Sequence, residues 1–241
     1  MLSPLLADDR GRSIYIMEMS GELTALRTEN DGARRLWSTR LGSISYSSPA
    51  IGADGTIYAG ADASLFAVDP SGGEVEWHYE TGDLIEVSPS VAPDGTIVIG
   101  SNDAMAYGLA ADGSERWSHD LGEITYSSPA VTPGGVAYIG DHSGAVSALD
   151  AATGTEIDRY PGQTRTEDEL SVGVWTAPLV DADGRVYFGT RLGHVYGFSP
   201  SGEQLFDFET AATVDSYPAL SADGTLLIGS EDGFLYAIGD R

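Results

Sequence analysis

Short apolar runs alternate with polar, glycine-containing turns along the whole chain. Typical runs are TIYAG, TIVIG and RVYFG, and a second set reads LFAVD, VSALD and VYGFS. Short apolar or alternating segments bounded by Gly, Pro, Asn and Asp are typical of β-strands, and no long run of helix-forming residues interrupts them. The pattern predicts an all-β protein built from many short strands.

The strands recur with a fixed period. A proline stands in each of the segments SSPAI, VSPSV, SSPAV, TAPLV and SYPAL, at Pro49, Pro89, Pro129, Pro178 and Pro218, so the spacings are 40, 40, 49 and 40 residues. Pro4, in LSPLL, begins a sixth copy. A glycine, usually preceded by Asp, follows each of the five prolines six residues later. Asp-Gly between apolar runs favours a hairpin turn, because glycine accepts a positive φ.

A bulky apolar residue marks the fourth strand of the repeat. Three copies carry Trp37, Trp77 and Trp117, and the position 28 residues after the proline is Ile157 or Phe206 in two others. A residue that recurs once per copy on an outer strand is expected to dock between neighbouring sheets, where it contributes about 1.5–3 kcal/mol through apolar burial. We therefore predict structural roles for Trp37, Trp77, Trp117 and Phe206.

Four short antiparallel strands cannot cover both faces of their own sheet, so the copies must stack, and radial stacking gives a β-propeller. The motifs G-x-x-Y-x-G, L-Y-A-L-D and G-x-x-x-W resemble those of the PQQ-like repeat family over residues 3–240, and five of the six copies match well. We predict one domain of about six blades, which comprise residues 1–45, 46–85, 86–125, 126–174, 175–214 and 215–241.

The last copy stops after its third strand, so the sixth blade is expected to lack its outer strand. A compact six-bladed ring is the favoured arrangement, and a piece of a larger, eight-bladed propeller is the alternative. The unpaired edge in the sixth blade is a predicted point of association with another chain. An engineered repeat array fits less well, because the first and fourth copies are irregular.

The chain is strongly acidic. It has 37 Asp and Glu against 12 basic residues, all of them Arg, which gives a formal net charge of −25. Such a surface repels nucleic acid and anionic lipid, so a charged partner is expected to be a cation, a metal or a basic protein surface. Adaptation to high salt explains the same composition equally well. Without cysteine the chain has neither disulfides nor thiolate metal sites.

The candidate site lies three residues before each periodic proline. The innermost strand of a blade lines the central channel, and this position varies while its neighbours stay fixed; its occupants are Tyr46, Glu86, Tyr126, Trp175 and Asp215. In a six-membered ring, Tyr46 would face Trp175 and Glu86 would face Asp215. Aromatic faces and carboxylates at one channel mouth suit a cationic ligand. In the alternative interpretation these side chains only fill the funnel.

Catalytic signatures are weak. The resemblance implies that quinone-dependent dehydrogenases of this family hold a quinone and a calcium or lanthanide ion with carboxylates, amides and a catalytic aspartate above an eight-bladed ring. This chain has two asparagines, Asn30 and Asn102, both in turns, and lacks vicinal cysteines. We expect no cofactor and no metal. His142 and His194 fall in corresponding regions of adjacent copies, but two histidines without a third ligand are weak support for zinc.

A non-catalytic binding, scaffold or sensor propeller is the leading functional hypothesis. It is similar to the PQQ-like domains of outer-membrane assembly lipoproteins and of kinase sensor regions, which recognise a protein partner or a small ligand. An enzyme acting on a small cationic substrate at the mouth is the alternative.

MLSPLLADDRGR has no signal-peptide core and no apolar stretch is long enough to span a membrane. Location is left open, since only the resemblance suggests an extracytoplasmic one. The fourth copy's long loop, residues 158–174, is a further candidate for function.

Overall fold

The computed structural model describes residues 6–7, 12–160 and 173–239. Within these ranges the secondary structure consists of strands β1 to β23 and connecting turns. Pro4 and residues 161–172 of the long loop lie outside the described residues. In the part of the chain that is described, no helix has the length and hydropathy needed to cross a membrane.

The strands form six antiparallel sheets, and in each sheet the strands follow chain order. The first contains β1 (Leu6–Ala7), β2 (Ser13–Met17), β3 (Glu22–Glu29) and β4 (Gly32–Arg40). The second contains β5 (Ala50–Ile51), β6 (Ile57–Ala61), β7 (Ser64–Val68) and β8 (Val75–Glu80). The third contains β9 (Ser90–Val91), β10 (Ile97–Gly100), β11 (Met105–Leu109) and β12 (Glu115–Asp120).

The fourth sheet contains β13 (Ala130–Val131), β14 (Val136–Gly140), β15 (Val146–Asp150) and β16 (Glu156–Tyr160). The fifth contains β17 (Leu179–Val180), β18 (Val186–Gly189), β19 (His194–Phe198) and β20 (Gln204–Glu209). The sixth has three strands, β21 (Ala219–Leu220), β22 (Leu226–Gly229) and β23 (Leu235–Ile238). The predicted all-β propeller with an incomplete sixth blade is confirmed.

The predicted Asp-Gly hairpins join the first and second strands of the blades. Gly55, Gly95, Gly135, Gly184 and Gly224 all have φ between 79° and 95°, a region that residues with a Cβ atom rarely occupy. The first strand of each sheet is two residues long, and the inner strand β9 contacts its neighbours β5 and β13. The periodic proline directly precedes each of these inner strands, where its missing N–H removes no ladder hydrogen bond.

The core lies between neighbouring sheets. Five clusters of buried apolar side chains join the first sheet to the second and so on to the sixth; for example, Tyr15 and Leu23 pack with Ile57 and Ala59. Within the described ranges no cluster joins the sixth sheet to the first. Closure of six blades into a ring therefore stays a prediction.

Serine side chains also connect the inner strands. The Ser88 hydroxyl accepts the Ser48 N–H at 2.8 Å, and the Ser128 hydroxyl accepts the Ser88 N–H at 2.9 Å. Each serine directly precedes its periodic proline, so the same hydrogen bond repeats from one blade to the next.

The three outer-strand tryptophans sit at the junctions between blades. Each donates its indole N–H at 2.9 Å to a carbonyl in the next blade, and the acceptors are Pro70, Ala111 and Ala151. A positive-φ glycine of that blade, Gly73, Gly113 or Gly154, lies against each indole, where a Cβ atom would come within 2.7 Å of the ring. Phe206 is half-buried and stacks on Tyr187 with ring centroids 6.2 Å apart.

Ile157 does not occupy the docking position that counting from the proline assigns to it. In the third blade Trp117 pairs with Gly108, whereas in the fourth the partner of Ala148 is Asp158. Leu109 pairs with Glu115, six residues later, whereas Leu149 pairs with Glu156, seven residues later, and this extra residue shifts the register of β16 by one. A one-residue shift reverses the face of every side chain. Ile157 is accordingly 57% exposed, and Asp158 lies against Gly202.

The outer edge of the sixth sheet is apolar and exposed. Phe234 is 66% exposed and Leu235 is 72% exposed, and within the described residues β23 pairs only with β22. An open strand edge is able to accept another strand. Association of another chain along β23 remains the prediction made from the sequence.

Candidate functional site

The candidate side chains lie at one end of the inner strands, in the segment that leads to each periodic proline. Tyr46 is 43% exposed, and Glu86, Tyr126, Trp175 and Asp215 are half-buried. One residue later, Ser47, Val87, Ser127 and Thr176 are buried. The alternation therefore separates a structural layer from an accessible layer, and the candidate residues belong to the accessible one.

A second set of side chains, which the sequence analysis missed, lies beside the first. It stands 13 residues after each proline, in the turn between the second and third strands, and consists of Asp62, Asn102, His142, Arg191 and Glu231. Each backbone N–H donates to the carbonyl of the residue five before the proline, at 2.9–3.1 Å. This repeated bond holds the turn against the segment that carries the first set. The sequence does carry a signal for this set, because the residue at this position differs among copies that are otherwise similar.

The two sets pair within a blade. Asn102 Nδ2 donates to Glu86 Oε2 at 2.8 Å in the third blade. The rings of His142 and Tyr126 are 5.8 Å apart in the fourth. In the fifth, Arg191 Cζ lies 3.8 Å from the centroid of the Trp175 ring, which is a cation–π contact.

Contacts between blades join these pairs into a continuous surface. The Tyr126 and Trp175 rings are 4.9 Å apart, and Arg191 Nε lies 3.9 Å from Asp215 Oδ2. We call the five residues Tyr126, His142, Trp175, Arg191 and Asp215 the mouth arc. The contacts that build it connect neighbouring copies, and the predicted pairs across the axis, Tyr46 with Trp175 and Glu86 with Asp215, stay predictions.

Two groups of the mouth arc have shifted pKa values. Burial raises the pKa of Asp215, Arg191 opposes that shift, and the negative charge of Glu231 adds to it. Burial also raises the pKa of Tyr126, to which the charges of Glu86 and Asp83 contribute. The Asp215 carboxyl is thus less acidic than an ordinary aspartate, because the positive charge of Arg191 does not fully offset the effect of burial.

Several buried polar atoms of the mouth have no hydrogen-bond partner within the described part of the chain. They are Asn102 Oδ1, Trp175 Nε1, Thr176 Oγ1 and Asp215 Oδ1. Buried polar groups in native proteins are normally paired, so an unpaired group calls for an explanation. Thr176 belongs to the buried layer, whereas Asn102, Trp175 and Asp215 are half-buried and contribute one unpaired donor and two unpaired acceptors to the mouth.

The donor set of the described residues does not fit a metal site. Over the described ranges, no three His, Asp or Glu side chains converge closely enough to hold a metal ion, and the guanidinium of Arg191 lies on the Trp175 ring. The two histidines considered for a zinc site have different neighbours. His142 lies beside the Tyr126 and Trp175 rings, whereas His194 Nδ1 lies 2.6 Å from Asp207 Oδ1.

Comparison with known proteins places the chain among propellers. BamB from Moraxella catarrhalis has a TM-score of 0.77 and 18% sequence identity, and the match covers 98% of this chain and 68% of that one. Saccharomyces cerevisiae Sqt1 has a TM-score of 0.76 and 15% identity, with 95% of this chain and 69% of that one covered. No curated protein matches in sequence. These likenesses show the fold.

A family model described as outer membrane protein assembly factor BamB matches residues 19–239. That match includes all five periodic prolines, the three outer-strand tryptophans and the whole mouth arc. The chain therefore belongs to the PQQ-like repeat propellers of the BamB family.

Proposed function

We propose that this chain is a non-catalytic binding propeller, which holds a protein partner by a basic side chain inserted at the mouth arc. The observation that carries the proposal is the position of Arg191, which lies on the Trp175 ring and beside Asp215. This contact of the chain's own guanidinium supports the proposal that the mouth accepts a cation.

The mouth retains capacity for a second cation and for peptide backbone. Arg191 lies 3.9 Å from Asp215 Oδ2, while Oδ1 is unpaired within the described residues. Glu86 and Glu231 add negative charge on either side of the arc, and the Trp175 N–H is a donor suited to a peptide carbonyl. A net charge of −25 attracts a basic partner over long range. The family description, which names an assembly factor, supports a protein partner.

Substitution of Asp215 tests the proposal. A short amidated peptide containing arginine is expected to bind, and Asp215→Asn is expected to weaken that binding about tenfold, because a partly buried charge pair is lost. Isothermal titration calorimetry with Asp215→Asn and the control Glu203→Gln, an exposed carboxylate on the neighbouring fifth blade, measures the effect. Equal weakening by both substitutions would show that the peptide binds a non-specific acidic surface, and it would refute specific binding at the mouth arc.

The peptide is to be compared with agmatine, which carries a guanidinium without a peptide backbone. We expect the peptide to bind more tightly, since the Trp175 N–H then gains a carbonyl acceptor. Equal affinity for both would favour the small cationic ligand over the protein partner.

The affinity is expected to depend on pH in a defined direction. Because the pKa of Asp215 is raised in the folded protein, lowering the pH neutralises this carboxyl earlier than it neutralises an ordinary aspartate. Peptide affinity should therefore fall as the pH drops through this raised pKa, and Asp215→Asn should remove that part of the pH dependence. A titration series in calorimetry checks both, and an unchanged pH profile in the variant would contradict the role of Asp215.

A further inference from the structure

The junctions between blades contain a repeated slot for an indole ring. At three of them, Trp37, Trp77 and Trp117 fill the slot and donate to a backbone carbonyl in the next blade's turn between its third and fourth strands. Tyrosine rings flank the indole from the same blade in two cases, with Tyr15 and Tyr58 centroids 6.1 Å and 5.8 Å from the indoles. The slot thus combines aromatic walls with one carbonyl acceptor.

The junction between the fourth and fifth blades has the slot without the indole. The shifted register of β16 places Asp158 where the other blades carry tryptophan. Pro200 occupies the same turn position as Ala111, because the turns closed by Gly202 N–H to Ser199 O and by Gly113 N–H to Ala110 O correspond. A cavity of about 490 Å³ opens here, and its lining includes Ala148, Asp158 and Pro200.

The walls of this cavity are apolar and aromatic. Tyr138 and Tyr160 line it with their rings 6.0 Å apart, together with Val136 and Val180. Tyr160 is only 2% exposed and also packs on Phe198 of the fifth blade, with centroids 5.0 Å apart. A largely apolar cleft of this size with a few polar groups is typical of small-molecule sites.

The charge at the cavity comes from Asp158. Two other carboxylates of the lining, Asp181 and Asp183, are paired with Arg185 at 2.8 Å and 2.6 Å. Asp158 has no ion pair among the described residues; its Oδ1 accepts the backbone N–H of Arg159 at 2.8 Å. Its negative charge is therefore available to a ligand that enters the cavity.

We infer that the junction of the fourth and fifth blades is a binding site for a planar, N–H-bearing aromatic amine. The ring takes the place that indoles hold at the other junctions, its N–H donates to the Pro200 carbonyl, and its ammonium group pairs with Asp158. The site is separate from the mouth arc and does not depend on the function proposed there. A carboxylate is present at this junction because the register of β16 places Asp158, rather than Ile157, opposite Ala148.

Tryptamine is the probe that tests this site. We expect it to bind the wild-type protein, and to shift the NMR signals of Ala148 and Gly202 rather than those of the mouth arc. Asp158→Trp restores the indole of the other junctions, so it should reduce tryptamine affinity by at least tenfold and raise the melting temperature by a few degrees. Asp158→Asn keeps the shape and removes the charge, and a three- to tenfold loss is expected.

Two comparisons make the test decisive. Glu76→Gln removes an exposed carboxylate from the corresponding outer strand of the second blade, and it should leave tryptamine affinity unchanged. Indole, which lacks the amine, should bind the wild type more weakly than tryptamine does. Its affinity for Asp158→Asn should equal its affinity for the wild type. Absence of tryptamine binding at millimolar concentration, or shifts confined to the mouth arc, would overturn the inference. If Asp158→Trp misfolds, Asp158→Asn and the shift mapping decide alone.

Discussion

Replacing Trp117 by alanine is expected to lower the free energy of unfolding by about 3–5 kcal/mol, as for other large aromatic residues removed from a core. The side chain is 7% exposed, packs against Gly154 and donates to the Ala151 carbonyl. Its loss leaves a cavity between the third and fourth blades and an unpaired carbonyl. Urea denaturation followed by circular dichroism measures the change in the midpoint, with the slope as a check that the transition stays cooperative.

Ile157→Ala is the matched control for this prediction. Counting from the proline makes Ile157 the counterpart of Trp117, but the register of β16 exposes it. We expect a change within about 0.5 kcal/mol, as for other exposed positions. A loss comparable to that of Trp117→Ala would show that Ile157 docks between blades and that the shifted register is wrong.

Replacing Arg159 by leucine is expected to lower the free energy of unfolding by about 3–5 kcal/mol at neutral pH, because it leaves a buried carboxylate without its cation. The Asp141 side chain is 1% exposed and pairs with Arg159 Nη2. Asp141 also accepts the N–H groups of Ser143 at 2.8 Å and Ala145 at 3.2 Å. Arg34→Leu, which breaks an exposed pair with Glu29 at 3.1 Å, is the control and should cost less than about 1 kcal/mol.

The Arg159→Leu variant should also depend on pH in a particular sense. Burial raises the pKa of Asp141, and the hydrogen bond from Ser143 and the charge of Arg159 hold that increase down. When Arg159 is removed, the folded-state pKa rises further above that of the unfolded chain. The folded state then binds the proton more readily, so lost stability returns as the pH falls through the folded pKa. A deficit that grows on acidification would contradict this account of Asp141.

The fold was predictable from the sequence because its signals are local. Asp-Gly turns and the prolines before the inner strands each require a particular backbone conformation, so the repeat was recognisable without knowledge of packing. Counting from Pro129 assigned Ile157, rather than Asp158, to the docking position. The register of β16 depends on the number of residues that separate its paired positions from those of β15, and this number differs between blades. Counting four residues from Gly154, as in G-x-x-x-W, leads to Asp158.

The candidate site was predictable only in part. Tyr126, Trp175 and Asp215 were identified because their position varies among similar copies. Their partners His142 and Arg191 come from a different turn, and only the hydrogen bonds from their backbones to residues 124 and 173 bring them to the mouth. Closure of the ring depends on angles between sheets, which no local motif specifies.

The repeated backbone bond at the mouth has a consequence for how such proteins diversify. The two members of each pair are 16 residues apart, as Glu86 and Asn102 are, and both lie within a single repeat. Duplication or exchange of one repeat by recombination therefore transfers a complete pair, with its geometry already set by main-chain atoms. A new recognition surface is then assembled by reordering modules, and point mutations are needed only to refine it.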